Sequence, residues 1–287
     1  MSPLGGLADI QIYHYKKIQD LRERVDSQSA ALMDGRTNQQ YLVFIGVTKG
    51  DLEKIDRQRA SIGRHTRLSH YTDGNLLVIK LMPSAKHEGA HLTLSRKLDR
   101  RFASMGLPED CLYPVGSTRY ERPNSSKEGD AGYRPLPARE RETDWPRIVF
   151  ESGFSETLPR LRHDAGWWII HSKGDVKIAI IISIKPRQKT LVVEKWCPSP
   201  PPASRPAARA QVITITQNPT PRRDNIAQQV VTVQSGTGST YGVVRAPLIL
   251  EFDKIMLRAP VPPNESDIIF TADDLALWAD YFWKGLK

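Results

Sequence analysis

The stretch DVKIAIIISI, residues 175–184, constrains this chain more than any other. β-Branched residues follow one another there almost without a polar break. A strand of that kind is covered on both faces, as the centre of a mixed sheet with helices on each side is. TLVVEKWC (190–197) reads as its hairpin partner or neighbour. Upstream, RIVFES (147–152) is a second strand, and its apolar run Ile148-Val149-Phe150 delivers one carboxylate, Glu151, to its end. A charge at the rim of a buried sheet is costly unless a cation or a hydrogen bond meets it.

The other segments surround these strands. A charged, helix-compatible stretch from Tyr13 to Leu32 carries Ile18, Leu21 and Val25 at helical spacing. QQYLVFIGV (39–47) and GNLLVIKLMP (74–83) have strand composition, and KGDLEKIDRQRAS between them reads as a short solvated helix. From His87 onward, Ala90, Leu94, Leu98 and Phe102 recur four apart, an amphipathic helix that ends at Gly106. A polar, turn-rich segment (120–135) leads to RIVFES, and a helix spans about Leu158 to Ile170. At Pro198 a proline-rich stretch begins that supports neither a ladder nor a helix interior. It leads into an excursion to about Tyr241 containing QVITITQ and QVVTVQ. APLILEFDKIMLRAP (246–260) is then a strand, and Thr271 caps a last helix with Asp273 and Asp274 in its first turn. The order of elements predicts an α/β fold with a mixed central sheet flanked by helices. Four regions follow: an N-terminal helical extension (1–38), a core (39–197), a partly disordered Pro-rich insertion (198–242), and a C-terminal strand and helix packing on the core (243–287).

The chain has 287 residues, enough to bury a substantial core, and 41 basic against 32 acidic residues leave a net charge of +9. Such a surface attracts polyanions such as nucleic acid or acidic lipid headgroups, although a moderate excess spread around the surface is the commoner case. Two cysteines without metal-ligand spacing predict a reducing compartment. The first residues contain no apolar signal-peptide core, and nowhere do 18 apolar residues run together. An intracellular protein, cytoplasmic or nuclear and without a membrane span, is the expectation.

Two acids fall at telling places. Asp130 lies in SKEGDAGYRP before the stretch leading to the Glu151 strand, and in a hairpin of adjacent strands the two carboxylates converge. Paired carboxylates repel, an arrangement that a divalent cation resolves. Magnesium takes hard oxygen ligands and keeps several waters, one of which can attack a phosphodiester.

The ordered blocks LMPSAKHEGAH, SKEGDAGYRP, PRIVFESGFSETLPRLRHDAGWWI and VKIAIIISI resemble the PD-(D/E)XK, restriction-endonuclease-like nuclease superfamily. They look closest to its Uma-type members and to a set of uncharacterised filamentous-fungal proteins. The resemblance covers about residues 74–197 and extends to PLILEFDKIMLRAP and DIIFTADDLALWADYFW. It implies a restriction-endonuclease-like core, Mg2+ or Mn2+ as cofactor, and DNA as partner and substrate. Asp130 and Glu151 become the metal pair, the backbone carbonyl of Ser152 a third ligand, and Glu88 an additional acid. The motif lysine belongs two residues after the second acid, where this chain has Gly153, and the proline before the first acid is replaced by Gly129. Arg160, Arg162 or Lys185 is left to offset phosphate charge, although arginine is too basic to shuttle protons near neutral pH. A pseudo-nuclease kept for nucleic-acid or protein binding is the alternative. The two differ in whether a basic side chain reaches the carboxylates. A third option is an interaction protein whose Pro-rich insertion binds a protein partner.

Plainer readings exist for each feature. A loop aspartate such as Asp130 commonly closes an Asx turn, and Glu151 could pair with Arg147, Arg160 or Arg162. His87 and His91 have zinc-like spacing but no third ligand. Trp167 and Trp168 suit the core as well as base stacking. No G-x-S-x-G elbow accompanies Ser152 and Ser155, which disfavours serine hydrolase chemistry.

Overall fold

The computed structural model describes residues 2–7, 10–63, 65–81, 85–154, 158–198, 227–236 and 241–285, except the side chains of 85–87 and 227–228. In chain order, β1 (Ile12–His14) leads into α1 (Ile18–Met33), β2 (Tyr41–Ile45), α2 (Lys49–Arg57), α3 (Arg59–Ile62), β3 (Thr66–Tyr71) and β4 (Leu76–Leu81). Helix α4 (Ala85–Ser104) precedes β5 (Leu112–Pro114), β6 (Arg119–Arg122), β7 (Ser125–Glu128) and β8 (Ala131–Pro135). Then come β9 (Ile148–Phe154), α5 (Leu158–His171), β10 (Ile178–Lys185) and β11 (Thr190–Trp196). The chain continues through β12 (Ala227–Ser235), β13 (Tyr241–Val244), β14 (Leu248–Leu250), α6 (Phe252–Met256), β15 (Ile268–Phe270) and α7 (Ala272–Lys284).

The β-branched run forms β10, and its alternation decides the layering. Ile178, Ile180, Ile182 and Ile184 enter one core with residues of α4 and α7, while Ala179 and Ile181 enter another with residues of α5. β10 pairs parallel with β9 through the α5 crossover and antiparallel with β11. They belong to a mixed seven-stranded sheet in the order β13-β12-β11-β10-β9-β8-β5. Helices α4 and α7 cover one face and α5 the other. The α/β class with mixed sheets and flanking helices is therefore what the chain adopts.

A second, six-stranded sheet, β1-β2-β4-β3-β7-β6, was not read from the sequence. Leu42, Phe44, Leu77 and Ile79 on its outer face pack with Leu21 and Val25 of α1 and Ile55 of α2. Its inner face, with Tyr41, Val43, Tyr71 and Val78, closes over α5 and the first sheet. Four of its strands lie outside the sequence reading: β1 takes Tyr13, where a helix was expected to begin, and β3, β6 and β7 are polar in sequence, yet every residue of β3 and β7 is buried. QVVTVQ, expected within an excursion, lies in β12 and pairs with β11, while QVITITQ lies outside the described residues. Only Leu248–Leu250 of the expected strand 246–260 is extended, and α6 follows. Thr271 caps α7 in a capping box with Asp274, as expected. Among the described residues no helix is long and apolar enough to cross a membrane.

Candidate functional site

The antiparallel pairing of β8 with β9, Ala131 opposite Phe150, brings Asp130 at the head of β8 beside the end of β9. Along β9, Ile148 and Phe150 face α4, so Glu151 points the other way, into the seam between the two sheets. The acids converge, and a cation stands between them. Lys80 Nζ donates to Asp130 Oδ2 at 2.8 Å and to Glu151 Oε2 at 3.1 Å. Side-chain exposures of 4%, 0% and 1% close all three from bulk water. Lys80 comes from β4 of the other sheet, where it shares a face with Leu76 and Val78. A lysine inside the apolar run LLVIKL is a sequence signal equal to that of Glu151 at the end of its strand.

Each carboxylate has one oxygen held by further donors. Asp130 Oδ2 also accepts from the Ser152 amide at 2.7 Å and the Ser152 hydroxyl at 3.3 Å. Glu151 Oε1 accepts from Trp168 Nε1 at 2.8 Å and lies 3.2 Å from Lys127 Nζ. Lys127, on β7, also pairs with Asp164 of α5 at 3.3 Å, and Asp164 faces Arg160 Nε at 3.1 Å. Burial alone would raise the Asp130 pKa, but Lys80 above all holds it well below the usual carboxylate range. Burial likewise opposes the charge on Lys80, and Asp130 and Glu151 outweigh it, so that pKa is raised. His91 on α4 meets the Ser152 hydroxyl through Nδ1 at 3.0 Å, and burial lowers its pKa to about 4. It is a neutral imidazole at pH 7, while the side chain of His87 lies outside the described residues.

The remaining expected residues are placed less centrally. Glu88, 42% exposed, lies 3.7 Å from Arg67, whose Nε is 4.0 Å from Asp130 Oδ1. Ser152 touches the pair through its amide and hydroxyl. Arg160 is turned away: it pairs with Asp164 and donates to the Pro3 carbonyl at 2.7 Å and the Tyr71 hydroxyl at 3.3 Å. Arg162 grips Glu194 of β11 at 2.6 and 3.0 Å. No hydrogen bond or ion pair joins Lys185 to either acid among the described residues. Lys80, and not Arg160, Arg162 or Lys185, is the basic group that meets both acids, while Asp164 and Glu194 hold the two arginines. Trp167 and Trp168 are core residues, as the plainer reading had it. Gly129 has a local reason to replace a proline: a Cβ there would stand 2.9 Å from the Trp168 ring.

The donor chemistry suits a hard divalent cation better than zinc. Among the described residues no group of three or more His, Cys, Asp or Glu could hold a metal. Two carboxylates are hard oxygen donors of the magnesium type, here buried with Lys80 between them. Asp130 Oδ1 is buried and accepts no hydrogen bond among the described residues, an orphaned acceptor of the kind a cation satisfies.

No family model matches the chain, and neither does any curated protein. Among solved structures the chain is similar to a protein from Anabaena variabilis ATCC 29413, described as a "putative nuclease" belonging to DUF820. Identity is 14%, over 75% of this chain and 90% of that one, with a TM-score of 0.38.

Proposed function

We propose that this chain is a divalent-metal-dependent phosphodiester hydrolase of the restriction-endonuclease-like type, acting on DNA, whose motif lysine is supplied by a different strand. The observation that carries the reading is Lys80 Nζ bridging Asp130 Oδ2 and Glu151 Oε2 at 2.8 and 3.1 Å. A lysine in contact with both acids supports a motif-lysine role moved from position 153 to β4. Asp130 and Glu151 would hold Mg2+ or Mn2+, with Glu88 at the rim. Such an ion, when bound, would supply an acidified water and positive charge at the scissile phosphate. Lys80, with three donors on a compact ammonium, orients the attacking water and offsets charge growing on the phosphoryl oxygens. The seam behind it, walled by Tyr41, Trp168 and Val78, keeps that charge in low dielectric, where it counts most.

A pseudo-nuclease is favoured by a different observation. Lys80, Lys127, Arg67 and Arg160, all buried, already outnumber the buried acids Asp130, Glu151 and Asp164, so the cluster is neutralised without a metal. The experiment is cleavage of plasmid and oligonucleotide DNA in Mg2+ or Mn2+ by the natural protein, Asp130→Asn and Glu151→Gln, with melting temperatures alongside. The hydrolase reading expects cleavage in the natural protein and a loss of about 100-fold or more in each folded variant. Cleavage surviving both substitutions sinks the site, and DNA binding without any cleavage selects the pseudo-nuclease.

A further inference from the structure

We propose that Lys127 and Trp168 form a clamp on Oε1 of Glu151, positioning that carboxylate so that Oε2 alone faces Lys80 and the reacting groups. The division of labour is visible in the partners. Oε1 takes the Trp168 indole N–H at 2.8 Å and lies 3.2 Å from Lys127 Nζ, while Oε2 takes Lys80 at 3.1 Å. A glutamate has three side-chain torsions and a terminal group that turns broadly. With one oxygen held from two directions, that freedom is gone.

The clamp is itself braced. Asp164 lies 3.3 Å from Lys127 and 3.1 Å from Arg160 Nε, and Arg160 donates to the Pro3 carbonyl at 2.7 Å. Lys127 therefore cannot swing toward Lys80 without leaving Asp164 with one cation fewer. Burial disfavours the Lys127 charge, yet Asp164 and Glu151 raise its pKa, so it stays an ammonium. Trp168 is fixed in turn by edge contacts with Trp145, Tyr120 and Trp167 at centroid distances of 5.9, 5.6 and 5.2 Å. Two lysines of one sheet thus hold opposite oxygens of one carboxylate on the other. Lys80 touches the reacting side, and Lys127 acts only through Glu151.

The consequence for turnover rests on the hydrolase reading, whereas the clamp itself does not. The test uses Lys127→Met and Trp168→Phe in the full chain, with 15N-labelled tryptophan and DNA cleavage in Mn2+. Trp168→Phe removes one donor while keeping a ring in the core, and the resonance it deletes identifies the Trp168 indole N–H. The clamp expects Lys127→Met to move that resonance while the other tryptophan resonances hold, and Glu151→Gln to move it too. It also expects kcat to fall about tenfold or more in both clamp variants with KM little changed. A Trp168 resonance that stays in place in Lys127→Met overturns the clamp, whatever happens to turnover. A folded Trp168→Phe with natural kcat overturns it as well. If the natural protein cleaves nothing, the hydrolase reading falls, and the resonance still decides the clamp.

Discussion

Lys80 leaves its strand toward two buried acids, so removing its charge does more than delete a hydrogen bond. Lys80→Met leaves Asp130 and Glu151 facing each other without a cation between them, an arrangement that costs about 3–5 kcal/mol when one partner of a buried ionic group is lost. Urea unfolding at pH 7 should show that loss, and acidification, which protonates an Asp130 no longer held by Lys80, should recover part of it. His91 carries an effect of opposite sign. Its folded pKa of about 4 lies below the ordinary histidine value of 6.5, so the unfolded chain binds more protons than the folded one between those values. Stability is therefore lost as pH falls through that window, by about 2 kcal/mol between pH 7 and pH 5 for this residue alone. His91→Gln should flatten that part of the profile in unfolding curves at the two pH values, relative to the natural protein. The depressed carboxyl of Asp130 acts lower, its contribution complete above the unfolded value of 3.8 and lost only as pH falls through the folded one. Asp130 and Glu151 were legible as a converging pair from their places around one hairpin. Lys80 and Lys127 were not singled out, because a lysine on a strand reads as a solvated residue until an acid from elsewhere is known to face it.

At the scale of elements, α5 links the seam to the first residues of the chain. Its Arg160 and His163 hold carbonyls of Pro3 and Ser2 at 2.7 Å each, and Gly6 turns beside the Pro159 backbone with φ +76°. A Cβ on Gly6 would run into that backbone and adopt an unfavourable φ besides, so Gly6→Ala should destabilise the protein by about 2 kcal/mol or more. Thermal unfolding measures this. If segment 2–7 braces Asp164 through Arg160, the same substitution also shifts the Trp168 indole resonance. The apolar elements were readable: β9, β10, β11, α4 and α7 all stand where periodicity put them. β3, β6, β7 and β8 were not, because pattern reading equates charge with solvent. In β7 the reverse holds, since Lys127 meets Glu151 and Asp164, and Glu128 meets Arg59 and Arg119. Sequence displays a charged strand as polar, and only its partners, distant along the chain, show it to be interior.

For the whole molecule, the cluster ties two sheets together. Lys80 and Lys127 belong to the six-stranded sheet, Glu151 to the seven-stranded one, and Asp130 sits on the connection between them. Neither sheet can expose its seam face without separating these charges, so the sheets should unfold together. Circular dichroism and tryptophan fluorescence should report one coincident transition in urea. Two separated transitions would show that the ionic seam does not couple the sheets. The seam also restricts how the chain can drift through inheritance. Loss of either lysine leaves buried acid with one cation fewer, and loss of either acid leaves a buried lysine with one carboxylate fewer, so single changes at positions 80, 127, 130 and 151 are each penalised while compensated sets are not. Lineages that shed this chemistry should therefore show all four charges replaced together by apolar residues, and seldom any one of them alone.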